Sequence, residues 1–252
     1  MANAFGIDVS RYQGKMDWDI VSLHEPDVVF AGIRATVSWG YRDSWFTRNW
    51  TESKRVGILR MAYHVVYPGE SASRQVDNFV GALSGDYGEL PPVLDLELDH
   101  GYGAAAITKN VLSIAQLVES RIGKRPILYS RAGWVNQFLA GAAWLNEYDW
   151  WLAHYLTSGA EHPGPPALPR GVTRWLIHQT TSHGKGIGSE SLNMDYNRWN
   201  GTEQDVYEYA GISQPPPDEE HPYPSYEWAV AIDAWARSQG YNGVRPDEGL
   251  EE

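Results

Sequence analysis

The stretch Pro91-Pro92-Val93-Leu94-Asp95-Leu96-Glu97-Leu98-Asp99-His100 alternates leucines with carboxylates. Side chains of a strand point to opposite faces in turn, so Asp95, Glu97 and Asp99 share one face and Leu94, Leu96 and Leu98 the other. Carboxylates aligned on one face repel each other, and near a sheet interior each also costs desolvation. Two arrangements tolerate this pattern. Either the strand lies at an edge with its polar face in water, or that face opens onto a polar cleft where one carboxyl keeps its proton. The second arrangement supplies paired carboxyls with split pKa values, the groups that glycosidic-bond cleavage needs.

The rest of the chain favours the cleft. Apolar runs bounded by turn residues predict seven further strands, over residues 5–10, 28–36, 58–66, 126–130, 149–155, 174–181 and 192–198. Helices fit residues 18–23, 44–56, 70–84, 104–121 and 131–140, the fourth with Ile107, Val111, Ile114, Ala115 and Val118 on one face. After the fifth strand the connections are rich in proline (Pro163, Pro165, Pro166, Pro169) or glycine (Gly184, Gly186, Gly188) and leave no room for full helices. Five strand–helix units followed by three strands predict an α/β fold, a barrel related to the (β/α)8 type but short of its last helices. The working face of such barrels is the carboxyl end of the strands. Asp8, Asp95, Glu97 and Asp195 all fall near the predicted C-terminal ends of strands one, four and eight, so four carboxyls are expected at one mouth.

At 252 residues the chain suits a single barrel, and 12 Trp, 15 Tyr and 5 Phe supply many flat rings for packing or for stacking on sugars. Without cysteine there are no disulfides and no thiolate ligands or nucleophiles. The net charge of −12 is concentrated at the end: residues 203–252 hold twelve carboxylates and two arginines, a balance of −10, which leaves −2 for residues 1–202. That distribution argues against nucleic acid or anionic membrane as a partner. No apolar run approaches the roughly 18 residues of a membrane span, so no membrane insertion is expected. The N-terminal residues enter a strand directly, with no leader.

The chain resembles glycoside hydrolase family 25, the Chalaropsis-type lysozymes or N-acetylmuramidases of phage endolysins and bacterial autolysins. The resemblance covers about residues 5–201 and rests on Gly6-Ile7-Asp8-Val9-Ser10 with Tyr12-Gln13-Gly14, Ala62-Tyr63-His64, Leu90-Pro91-Pro92-Val93-Leu94-Asp95-Leu96-Glu97, Leu128-Tyr129-Ser130 and Met194-Asp195-Tyr196-Asn197-Arg198-Trp199-Asn200-Gly201, in the family's order. It implies a flattened barrel of five strand–helix units and three further strands, agreeing with the count above. It implies that Glu97 is the general acid on the β-1,4 bond between N-acetylmuramic acid and N-acetylglucosamine, with Asp8, Asp95 and Asp195 as the other active-site carboxylates. In one division Asp95 orients the 2-acetamido group or the water, while Asp8 and Asp195 stabilise the cationic transition state. Retaining, inverting and substrate-assisted routes all stay open. Tyr63 and Tyr129 match positions near the reacting sugar, and Trp39, Trp45, Trp134, Tyr155 and Trp175 are candidates for stacking or for the core.

One departure lies after strand two, where Thr36-Val37-Ser38-Trp39-Gly40-Tyr41 replaces the family's usual Thr-Glu-Gly turn and lacks its acidic residue. His64, His154 and His178 lie within strands without a metal-binding spacing, so neither metal nor cofactor is expected. The expected partner is bacterial peptidoglycan, met as a phage endolysin made in the host cytoplasm and acting on the wall after release. A chitinase-like hydrolase and a non-catalytic wall-carbohydrate-binding protein are the alternatives. Residues 1–211 form the predicted catalytic barrel. Residues 212–224, with Pro215-Pro216-Pro217 and Asp218-Glu219-Glu220, read as a linker. Residues 225–252 read as a short helical tail, with an apolar stripe through Trp228, Ile232, Trp235 and Ala236 that faintly resembles part of a wall-binding module.

Overall fold

A computed structural model describes residues 3–213. The linker and helical tail, but for residues 212–213, lie outside the described residues. The elements are β1 (Phe5–Val9), α1 (Trp18–Ser22), β2 (Val28–Val37), β3 (Tyr41–Arg42), α2 (Phe46–Arg55), β4 (Leu59–Val65), α3 (Ala72–Leu83), β5 (Val93–Asp95), α4 (Ala104–Ile122), β6 (Ile127–Arg131), α5 (Ala132–Phe138), β7 (Trp150–Ala153), β8 (Ile177–Lys185), β9 (Asn193–Trp199) and α6 (Glu203–Ala210). All strands but β3 form a closed barrel in the order β1-β2-β4-β5-β6-β7-β8-β9, with β9 returning to β1. The two-residue β3 pairs only with the end of β2.

Neighbours from β1 through β8 are parallel, and β9 runs antiparallel to both β8 and β1. The short segment 186–192 dictates this reversal, because a parallel return needs a crossover of about a dozen residues or more. Asp195 is consequently not at the C-terminal end of its strand, as the sequence suggested. It is near the N-terminal end of β9, and the reversal brings that end to the mouth beside Asp8, its register partner.

Inside the barrel pack Phe30, Met61, Val93, Ile127, Trp151, Ile177 and Trp199. Alternate strand residues, among them Ile33, Ala62, Leu94, Leu128 and Leu152, face outward and bury the apolar stripes of the helices, including Phe79 of α3 and Ile107, Val111 and Ile114 of α4. Helix α4 ends where Gly123 adopts the left-handed conformation (φ 79°) and its amide bonds the Glu119 carbonyl. The interior is crowded enough to require Gly32 on β2: a Cβ there would sit 2.7 Å from the Trp151 ring and 3.1 Å from the Asp8 Cβ. Helix α6, absent from the sequence reading, begins at Thr202 with a reciprocal cap to Asp205 and buries Val206 and Tyr207 against the inner cluster.

Candidate active site

Strand β5 carries the alternation predicted for it. Val93 and Asp95 point inward, and Leu94 and Leu96 pack with the outer helices. Regular pairing stops at Asp95, yet the Leu96 amide bonds the Tyr129 carbonyl at 2.9 Å and the Ser130 hydroxyl bonds the Leu96 carbonyl at 2.6 Å. These bonds hold the chain against β6 for one more residue and aim Glu97 into the cleft. Asp99 does not follow. It leaves the strand pattern and accepts the Gly101 amide at 2.8 Å in a turn.

Asp8, Asp95, Glu97 and Asp195 line one cleft of about 330 Å³ together with Tyr63, Tyr129 and Tyr155. Asp8 is held most completely. Its Oδ2 accepts the Gln179 Nε2 at 2.6 Å and the Asn197 Nδ2 at 2.9 Å. Gln179 is oriented by the Tyr129 hydroxyl, which donates to its Oε1 at 2.6 Å, and by the Tyr155 hydroxyl, which donates to the same oxygen. Asn197 is oriented by the Trp151 indole N–H at 2.8 Å. The tyrosines and tryptophan therefore fix both amides with their N–H groups toward Asp8.

Burial raises the Asp8 pKa from 3.8 to about 6, against the two amide donors and with help from the Glu97 charge. Burial, then the charges of Asp8 and Glu97, bring Asp195 up to about 9. Asp95 is pushed well above the ordinary range by burial and by Glu97 and Asp8, with Arg34 and Arg131 opposing. Its Oδ1 is buried without a hydrogen-bond partner among the described residues. Glu97 is the wetter carboxyl, its side chain 31% exposed, and the Arg131 guanidinium lies 3.3 Å from its Oε1. The site thus combines three carboxyls whose burial favours the protonated form with a solvent-reached one.

The aromatic candidates divide. Tyr63, Tyr129 and Tyr155 line the cleft, whereas Trp39 and Trp175 do not. Trp39 is half-exposed on the loop after β2 with the Arg74 guanidinium 3.9 Å from its ring centre. Trp175 lines a different hollow beside His178. Trp45 precedes α2, and Trp134 borders a separate hollow that Glu97 and Arg131 also line. Sequence reading gave no role to Arg131, Gln179 or Asn197, although Asn197 stands in the segment 194–201 that carries the family resemblance. For Arg131 and Gln179 an inward position on a barrel strand was the one signal.

His64 is fully buried between the Thr36 hydroxyl (2.7 Å) and Gln75 (3.3 Å), a structural role, and burial brings its pKa down to about 4. His154 and His178 are not isolated strand residues as the sequence suggested. They meet His162, with one ring nitrogen from each within 4.8 Å of the others.

A mostly parallel barrel carrying several carboxyls at one mouth has the equipment of a glycoside hydrolase of the barrel class. Comparison with known proteins is in accord: the profile of Glycosyl hydrolases family 25 matches residues 7–189. YegX of Escherichia coli is 35% identical over 215 residues, 84% of this chain and 75% of its own. Lysozyme M1 of Streptomyces globisporus is 30% identical over 210 residues, covering 78% and 68%. The bacterial lysozyme from Streptomyces coelicolor superposes with a TM-score of 0.71 at 26% identity, covering 83% of this chain and 98% of that one. The chain belongs to glycosyl hydrolase family 25 and is a glycoside hydrolase of the muramidase type.

Proposed function

We propose that this enzyme hydrolyses the β-1,4 bond between N-acetylmuramic acid and N-acetylglucosamine in bacterial peptidoglycan, with Glu97 as the proton donor to the leaving oxygen. The observation that carries this reading is the convergence of Asp8, Asp95, Glu97 and Asp195 in one tyrosine-lined cleft. With its pKa near 6 and two fixed amide donors, Asp8 is the buried carboxyl able to be anionic at neutral pH and so to stabilise a cationic transition state. Asp195, raised to about 9, keeps its proton there and donates a hydrogen bond instead. This changes the division in which both aspartates act by charge. Asp95, buried with an unpartnered oxygen, faces the substrate as a hydrogen-bonding group suited to the 2-acetamido substituent. The setting we propose is that of a phage endolysin acting on the cell wall.

Digestion of purified peptidoglycan, borohydride reduction and mass spectrometry of the fragments test the bond cleaved. Reduced muramic acid at the new ends is the expected product; new glucosamine ends would refute the assignment of the bond. The variant Glu97→Gln is expected to lose lysis while keeping the circular dichroism of the wild type, and a folded Glu97→Gln that still lyses walls would refute the assignment of the acid.

A further inference from the structure

The connection from β7 to β8 has no regular secondary structure and includes four prolines, and three histidines fasten it to the barrel. His154 begins it, His162 lies within it and His178 is the second residue of β8. Backbone bonds bring them together: the His154 amide to the Gln179 carbonyl at 3.1 Å, and the His162 amide to the Thr180 carbonyl at 3.0 Å. The rings of His154 and His162 lie 4.0 Å apart, and that of His162 lies 5.4 Å from His178. We propose that His154, His162 and His178 form a binding site for a borderline divalent transition-metal ion of the Zn²⁺ class, clamping this connection to β8.

The ring nitrogens have the right complement of partners. His178 Nε2 lies 3.0 Å from the His154 carbonyl, which can only accept, so the proton is on Nε2 and the lone pair on Nδ1. A second-sphere carbonyl of this kind is the usual partner of a ligating histidine. His162 Nδ1 lies 3.1 Å from the Gly164 carbonyl and 3.3 Å from the Gly164 amide; the tautomer that donates to the carbonyl gives up the longer amide bond and leaves the lone pair on Nε2 for a metal. His154 accepts the Ala167 amide at Nδ1 (3.2 Å), so ligation through either nitrogen exchanges or weakens that one bond.

Three imidazoles without thiolate or ligating carboxylate select a nitrogen-preferring ion over Mg²⁺ or Ca²⁺. Tetrahedral ligation by Zn²⁺ puts nitrogens about 3.4 Å apart. The ligand atoms, within 4.8 Å of one another, therefore close by about 1.4 Å at most, within reach of ring rotation on the connection. An adjoining hollow lined by Glu161, His162, Trp175, His178, Thr180 and Arg198 gives water access to an open fourth position. Glu161 supplies nearby negative charge while bonded to Arg198 at 2.9 Å and to Thr180 at 2.9 Å. The site stands one residue from Tyr155 and one from Gln179, which orient Asp8, but on the other side of β8 from the cleft.

The test uses the full chain, freed of any affinity tag and stripped with EDTA. Equilibrium dialysis and calorimetric titration with ZnCl₂ measure binding, and differential scanning calorimetry measures the unfolding temperature. One Zn²⁺ per chain is expected, with a rise in unfolding temperature. The expected effect of His162→Ala, which changes only the irregular connection, is to weaken binding by at least about tenfold and to abolish the rise. His154→Gln provides a second variant that spares the buried His178, and Co²⁺ substitution should give a visible absorption band that both variants lose. Absence of saturable binding at micromolar Zn²⁺, or equal binding by the wild type and both variants, would overturn the proposal whatever the lytic activity.

Discussion

Asp8→Asn is expected to make the protein more stable at pH 8 while reducing catalysis. The wild-type carboxyl is raised from 3.8 in an unfolded chain to about 6 in the fold. A folded-state pKa above the unfolded one means that the fold binds the extra proton, so stability is full below pH 3.8 and falls as pH rises through about 6. The shift corresponds to about 3 kcal/mol lost once Asp8 is ionised. An asparagine can place its Oδ1 where Asp8 Oδ2 now accepts Gln179 and Asn197, as the protonated carboxyl does, and the bonds to the ionised carboxylate are already contained in the shift. The gain at pH 8 is therefore about 3 kcal/mol, and near pH 3 the variant should gain nothing. Urea unfolding followed by tryptophan fluorescence at intervals from pH 3 to pH 8 gives the difference directly. A difference that does not grow between pH 4 and pH 7 would refute the claim that burial holds Asp8 protonated.

Three further substitutions probe the frame. Gly32→Ala should cost about 1–3 kcal/mol in urea unfolding, since the Trp151 ring 2.7 Å from the new Cβ is tied to Asn197 and cannot swing away; a neutral effect would mean that the interior is looser than it looks. Arg60→Ala should cost about 3–5 kcal/mol, because the buried guanidinium bonds Asp86 at 2.9 Å and Glu89 at 2.8 Å and covers the Trp50 ring; a loss below 1 kcal/mol, the range of exposed pairs, would refute it. His64→Gln should gain on the wild type as pH falls from 6.5 to 4: burial lowers the folded His64 pKa from 6.5 to about 4, so this residue costs the wild type up to about 3 kcal/mol across that window. Parallel pH profiles for wild type and variant would show that His64 titrates normally.

Much of this architecture was legible because it is written in local pattern. Eight apolar runs and five helical stripes became eight barrel strands and five helices, and the Asp95/Glu97 alternation predicted which face meets the cleft. The reading failed where geometry overrides pattern. Alternation continues to Asp99, but sheet pairing ends at Asp95 and Asp99 caps a turn. The direction of β9 was implicit in the length of segment 186–192, and taking every strand as parallel put Asp195 at the wrong end of its strand while leaving it at the right mouth. Gln179 stands in no motif, and Asn197 stands in one that does not tell its role, because both hold Asp8, across 171 and 189 residues of sequence respectively. The histidines at 154, 162 and 178 have no metal spacing for the same reason, since closure of the β7–β8 connection is what joins them.

Asp8 and His64 illustrate how the barrel accommodates buried titratable groups. Over pH 4 to 6 the raised pKa of Asp8 makes the fold less stable as pH rises, and the lowered pKa of His64 makes it more stable. Each shift is worth about 3 kcal/mol, so these two contributions nearly cancel there, and the wild-type slope is left to the other buried groups, Asp95 and Asp195 with raised pKa values and His178 with a lowered one. Removing either residue exposes the other: Asp8→Asn should steepen the loss of stability toward acid, and His64→Gln should reveal a decline toward neutral pH. The double variant Asp8→Asn/His64→Gln should return to the wild-type slope, because the two side chains share no hydrogen-bond partner and their effects add. A double variant as steep as either single one would mean that the two groups are coupled through the barrel rather than independently buried.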